Sequence, residues 1–200
     1  MTKDIYGVPR QWIREGRQNL FLTGLAGTGK TTLLRTLRNE NTVVLAPTGV
    51  AAMNAGGQTI HSFFRFKPYL LDPDDVKELH PRHPINHVDT IIIDEVSMVR
   101  SDMFDLIDRM LKLNRYSREP FGGVRMIVTG DMHQLPPVAP DAEARILFER
   151  YGGPYFFNTD AFRNGDFSYL ELKHIFRQSD PEFIGLLNGL RTCQMGPEHE

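Results

Sequence analysis

Apolar residues in this chain gather in short, unbroken runs rather than in strict alternation. Positions 20–23, 42–46, 90–94 and 125–129 are rich in Leu, Ile, Val and Thr, and a later run, 167–172, reads as a further strand. Runs of this length, apolar on both sides, predict strands buried on two faces of a parallel sheet. Between them the period changes. Segments 30–38, 101–113 and 180–191 carry apolar residues at helical spacing. In 101–113 the residues Met103, Phe104, Ile107, Met110 and Leu111 share one face, the spacing of a core helix rather than a partner groove. Strands alternating with helices predict an α/β domain, its parallel sheet covered by helices on both faces. Ligands in such sheets sit at the carboxyl ends of the strands. Residues 66–88, with Pro68, Pro73, Pro81 and Pro84, read as an irregular surface insertion.

Chemistry first enters at the end of the first strand. Residues 24–31 read Gly24-Leu25-Ala26-Gly27-Thr28-Gly29-Lys30-Thr31, a complete Walker A loop set between a strand and a helix. Its glycines let the backbone close around an anion, and the N–H groups of the loop and of the following helix point at phosphate. Lys30 is placed to reach the β- and γ-phosphates, and Thr31, followed by Thr32, to offer its hydroxyl to Mg²⁺. ATP with Mg²⁺ is the expected ligand pair. The third run, with Ile91-Ile92-Ile93, ends in Asp94-Glu95. Two acids emerging at the carboxyl end of a buried strand fit a Walker B motif. Asp94 would then hold the metal, and Glu95 would orient and deprotonate the attacking water. After the strand at 125–129 comes Gly130-Asp131-Met132-His133-Gln134-Leu135-Pro136-Pro137, a proline-stiffened loop on which Gln134 could sense a γ-phosphate.

Composition narrows the setting. The chain has 200 residues, 40% hydrophobic and 24% charged, which suits one globular domain with a sizeable core. A net charge of −2 advertises no nucleic-acid partner, so any such binding must rest on a local groove. The single cysteine, Cys193, excludes an internal disulfide and suits a reducing compartment. Nothing approaches the length of a membrane span, and the N-terminus lacks signal-peptide character. A cytoplasmic monomer with no membrane partner is expected. His80, His83 and His87 follow no regular zinc spacing and read as loop histidines.

Five segments in this order resemble the PIF (petite-integration-frequency) family of DNA helicases, in superfamily one beside the RecD-like enzymes. They are 24–32, the stretch from Ala46-Pro47-Thr48-Gly49 to Thr59-Ile60-His61-Ser62-Phe63-Phe64, Asp94-Glu95-Val96-Ser97-Met98, Pro120-Phe121-Gly122-Gly123 with 130–138, and Leu172-Lys173-His174-Ile175-Phe176-Arg177-Gln178. The resemblance runs from about residue 19 to 191. It implies a P-loop NTPase with a RecA-like sheet, acting as an ATP-dependent 5′-to-3′ DNA helicase. It gives Gln134 a contact to the γ-phosphate and makes Arg177 an arginine finger. It places single-stranded DNA at Thr48, Gly49, Ala51, His61, Ser62 and Phe63. For Phe63 and Phe64 the competing reading is core packing, and for Arg35, Arg38, Arg65 and Lys67 it is solvated charge.

Such helicases need two RecA-like domains, whereas residues 1–191 supply one and 192–200 read as a linker or truncated end. The expected partners are therefore single-stranded DNA and a missing second RecA-like domain. The candidates for the family's base-reading glutamine are Gln11 and Gln18. The alternative to a helicase is a non-motor P-loop nucleotide-binding module.

Overall fold

In a computed structural model of the chain, residues 11, 13, 15–25, 27–174 and 176 are described. Ala26, Arg177, the helix expected over 180–191 and Cys193 lie outside them. The strands are β1 (Asn19–Gly24), β2 (Thr42–Ala46), β3 (Gln58–Thr59), β4 (Thr90–Ile93), β5 (Arg125–Gly130) and β6 (Phe167–Leu172). They form one sheet in the order β3-β2-β4-β5-β1-β6, with every neighbouring pair parallel. The helices are α1 (Lys30–Arg35), α2 (Gly49–Ala55), α3 (Ile60–Phe64), α4 (Ser101–Asn114), α5 (Asp141–Tyr151) and α6 (Asp160–Arg163).

Successive side chains of a strand point to opposite faces, and the core divides accordingly. Ile91 and Ile93 of β4 join Met126 and Val128 of β5 in a cluster with α3, α4 and the aromatic rings. Ile92 and Ile127, one residue out of phase, join Leu20 and Leu22 of β1 with Leu33 and Leu34 of α1 on the other face. Both faces being covered explains why these strands read as continuous apolar runs. Met103, Phe104, Ile107, Met110 and Leu111 of α4 are all at most 6% exposed, as their spacing predicts.

Three expectations need correction. The first helix stops at Arg35 rather than at 38, because Thr36 turns its hydroxyl onto Leu33 O (2.7 Å) and closes the last turn. Residues 66–88 are irregular, with short 3₁₀ turns at Pro73–Asp75 and Pro84–Asn86, but they are not a mere surface insertion. Phe66, Leu71, Ile85 and Val88 enter the core. The backbone of the segment is tied to α4: Leu71 N–H donates to Asp102 (2.8 Å), and Leu79 N–H to Asn114 Oδ1 (2.7 Å). Finally, α2, α3, α5 and α6 are helices that the apolar pattern does not announce.

The segment Pro120–Gly123 is a turn whose central residues, Phe121 and Gly122, are buried. Phe121 (φ 52°) and Gly122 (φ 62°) are both left-handed, and a Cβ on Gly122 would come 2.6 Å from Leu111 O. Asp108 accepts the Phe121 N–H at 2.7 Å, and the Phe121 ring packs edge-on to Phe104 and Phe167. The segment therefore anchors α4 to β6.

Asp102 is fully buried and holds Arg100 through both Nε (2.9 Å) and Nη2 (2.6 Å) while accepting the Leu71 N–H. Its removal leaves a half-buried guanidinium and a buried N–H short of a partner. Asp102→Ala is expected to cost about 3–5 kcal/mol in urea unfolding. The exposed Arg163–Asp160 pair, probed by Arg163→Ala, is expected to contribute less than about 1 kcal/mol. Equal effects would contradict the burial argument.

Candidate active site

The phosphate loop follows β1 directly. A Cβ on Gly24 would collide with the Leu172 carbonyl, so the end of β6 confines the loop from one side. Gly27 (φ 78°) and Gly29 (φ 79°) are left-handed, and Gly29 caps α1. Thr28 is buried and donates to Leu25 O at 2.8 Å, which fixes the turn. The Lys30 ammonium donates to Gly24 O (2.8 Å) and Leu25 O (3.1 Å) and so lies folded along its own loop. Holding a phosphate would exchange these carbonyls for phosphate oxygens.

The Thr31 hydroxyl donates to Asp94 Oδ2 at 3.1 Å. The other oxygen of Asp94 accepts the Glu95 N–H at 3.0 Å. A hydroxyl and a buried carboxylate at this separation are a hard-oxygen donor set that fits Mg²⁺ beside phosphates. Burial raises the Asp94 carboxyl above its ordinary range, opposed by the Glu95 N–H, Thr31 and Lys30. Glu95 is raised too, by burial first and then by the charge of Asp94, with Lys30 opposing. Its backbone is left-handed (φ 54°, ψ 44°), a costly conformation for a non-glycine residue of the kind found at functional sites.

Gln134 comes to the same place. Its Nε2 donates to Asp131 Oδ2 at 3.0 Å, and Asp131 Oδ1 accepts the His133 N–H at 3.1 Å. Asp131 is 2% exposed. It organises the loop that presents Gln134, a role the sequence reading did not assign. The last described residue, Phe176, donates its N–H to Gly27 O at 2.9 Å, bringing the segment after β6 onto the phosphate loop. Arg177 and Ala26 lie outside the described residues.

These groups line one cleft of about 1040 Å³, whose walls include Lys30, Thr31, Asp94, Glu95 and Gln134. Thr48 and Ala51 line it as well, so the amino end of α2 opens on the same space as the phosphate loop. Thr48 caps α2 by accepting the Ala51 N–H (3.2 Å), and nothing lies within 4 Å of a Cβ built on Gly49. The small residues at this helix start therefore leave its backbone open to close approach.

The remaining expected DNA contacts fare differently. His61 and Ser62 sit on α3, outside the cleft lining. Burial, followed by the charge of Arg100, lowers the His61 pKa, which favours a neutral ring. Phe63 must be corrected. It is 1% exposed, with its ring against Phe64 and His83 (centroids 4.9 and 5.0 Å), and offers no free face to a base. A five-residue helix that buries Ile60, Phe63 and Phe64 turns its aromatic side inward. Lys67 is paired with Asp75 at 3.0 Å. His80 and His83 accept N–H groups of Arg82 and Ile85 (3.2 Å each), so they serve as loop caps. Gln11 and Gln18 do not line the cleft.

Beyond the expected residues, Ser97 also lines the cleft. It is 1% exposed, and no partner for its hydroxyl is found among the described residues. Only the position of Ser97 two residues after Glu95 could have pointed to it.

A parallel sheet with a phosphate loop after β1 and paired acids after β4 defines a P-loop NTPase with a RecA-like core. The sequence profile described as PIF1-like helicase matches residues 5–182, and the chain belongs to that family. It is 34% identical over 201 residues to the ATP-dependent DNA helicase PIF1 of Emericella nidulans, and 36% over 189 residues to that of Danio rerio. Those alignments cover 92% and 90% of this chain but 26% and 28% of the relatives. Among solved structures, the Bacteroides Pif1 helicase in complex with ADP-AlF3 and ssDNA superposes with a TM-score of 0.90 at 41% identity, covering 99% of this chain and 48% of that one. The Candida albicans Pif1 helicase gives a TM-score of 0.76 at 32% identity, covering 91% and 43%. The chain thus spans about a quarter of its curated relatives and about half of the solved chains.

Glu95 is held beside Asp94 in a partly buried, left-handed position where burial and the Asp94 charge disfavour its ionised form. Glu95→Gln removes the like charge without changing the side-chain shape. It is expected to raise the thermal midpoint of the nucleotide-free protein by about 2–4 °C. A fall in the midpoint would contradict the reading of Glu95 as a destabilised functional group.

Proposed function

We propose that this chain is the first motor domain of an ATP-dependent DNA helicase that moves 5′ to 3′ on single-stranded DNA. The observation that carries this is the shared cleft. The phosphate loop, the paired acids and Gln134 line it together with Thr48 and Ala51 at the start of α2. A small-molecule kinase or nucleotide-binding regulator has no need for an open helix start beside its phosphates. The Bacteroides relative, crystallised with ADP-AlF3 and ssDNA, supports both ligands.

In this reading the N–H groups of the loop and α1 bind the triphosphate, and Lys30 neutralises its β- and γ-oxygens. Thr31 and Asp94 are the oxygens that would hold Mg²⁺, which spreads the negative charge developing on the phosphates. Glu95 orients the attacking water and takes its proton. The raised carboxyl range of Glu95 suits it to that transfer. Gln134 contacts the γ-phosphate, and Arg177 stabilises charge on the transferring group. Thr48, Gly49 and Ala51 approach the DNA backbone, and His61 and Ser62 extend the contact along α3. A second RecA-like domain closes the cleft from the opposite side, and domain opening and closing moves the strand. The 200-residue chain alone therefore binds nucleotide, hydrolyses it slowly and does not unwind DNA.

The test is ATP hydrolysis by the full-length gene product with and without single-stranded oligonucleotide. Stimulation by about tenfold or more is expected. Arg177→Ala should lower kcat by about 10³-fold, as expected for an arginine finger. Hydrolysis indifferent to every nucleic acid would overturn the helicase reading in favour of a non-motor P-loop module. Unwinding by the 200-residue chain alone would overturn the need for a second domain.

A further inference from the structure

Two arginines that could have been taken for solvated charge are committed elsewhere. Arg35 is the last residue of α1, and its Nη2 donates to Asn54 O at 2.7 Å. Arg38 follows the helix and donates through Nη1 to Gly56 O at 3.2 Å and through Nη2 to Ala55 O. Asn54, Ala55 and Gly56 close the carboxyl end of α2, with Gly56 its left-handed cap (φ 66°). These terminal carbonyls lack acceptor duty within the helix and carry the negative end of its dipole. Cations there are favourable, and here both come from the helix that begins at Lys30 and Thr31. The fit is close, since a Cβ on Gly56 would lie 3.2 Å from Arg38 Nη1. Beneath the arginines, Ala55 shares a core cluster with Leu33 and Leu34 of α1. Toward the far end of α2, Thr48 and Ala51 line the cleft, and Arg35 and Asn54 line it at the near end, so the arginine contact and the helix start border one space.

We propose that Arg35 and Arg38 are positioning residues that couple the nucleotide site to DNA binding by fastening the carboxyl end of α2 to the phosphate-loop helix. A displacement of α1 on phosphate binding is carried through the arginines to the amino end of α2. This rests on the reading of α2 as a DNA-facing helix. Coupling between two sites is reciprocal, so it is measurable from either ligand.

The experiment uses the full-length gene product, a fluorescein-labelled oligothymidylate and a non-hydrolysable ATP analogue. In the wild type, the analogue should change oligothymidylate affinity by about fivefold or more, a typical coupling. In Arg38→Gln that factor should fall below about twofold, while analogue affinity without DNA changes by less than about twofold. The Arg35→Gln/Arg38→Gln double variant should lose the remainder, and Arg38→Lys should keep an intermediate factor. A purely structural role would lower both affinities together and leave their coupling unchanged, which would overturn the proposal. If Arg38→Gln fails to fold, the exposed Arg35→Gln carries the test: a coupling factor cut by about half supports the proposal, and an undiminished one overturns it. A wild-type protein with no coupling would overturn the helicase reading and this inference with it, whereas coupled wild type with equally coupled variants overturns only the inference.

Discussion

The 3.1 Å hydrogen bond from Thr31 to Asp94 is the contact around which the site is built. The two residues are 63 positions apart and follow β1 and β4, strands that do not touch. They meet because β5 lies between β1 and β4 and sets both in register: Leu22 against Thr129 on one side, Ile93 against Val128 on the other. Every strand runs the same way, so the loops after β1, β4 and β5 emerge at one edge. The phosphate loop, the acid pair and the Gln134 loop are then neighbours by construction. Slipping β5 by one residue would turn its core side chains to the wrong face as well as separate the motifs, so packing and chemistry enforce the same register.

Assembling the site places charge where the fold alone would not put it. Asp94 and Asp131 are nearly buried, and Glu95 is partly so in a left-handed backbone. Asp94 and Asp131 are tolerated because specific donors surround them: Thr31 and the Glu95 N–H on Asp94, Gln134 and the His133 N–H on Asp131. The same donors fix these two carboxylates in place in the nucleotide-free site. The cost falls on stability, and the two apolar clusters above and below the sheet offset it.

Much of this was legible in the sequence, for a physical reason. Strands covered on both faces must be apolar throughout, as β4 and β5 are along their central residues, and the runs 42–46 and 167–172 coincide with β2 and β6 residue for residue. The phosphate loop is legible because few other residues can make its turns. What could not be read depends on tertiary context. The helix α5 buries only Leu147, so its pattern shows little amphipathic signal. Phe63 and Phe64 are consecutive aromatics on a one-turn helix, and sequence alone does not say which way that turn faces. The buried Asp102 and Asp131 look like ordinary surface acids until their partners are known. Arg35 and Arg38 read as solvated charge because the carbonyls they hold lie 17–19 residues away.

Lys30 and the Thr31–Asp94 pair are placed to form a phosphate and metal seat. The most direct measurement is a crystal structure of the full-length gene product with Mg²⁺ and a non-hydrolysable ATP analogue. The Lys30 ammonium is expected to leave Gly24 O and Leu25 O for the β- and γ-phosphate oxygens. Mg²⁺ is expected to bind Thr31 Oγ1 directly, with Asp94 beside it, directly or through water. A triphosphate bound elsewhere, with Lys30 still on its loop carbonyls and Thr31 still on Asp94, would contradict this placement.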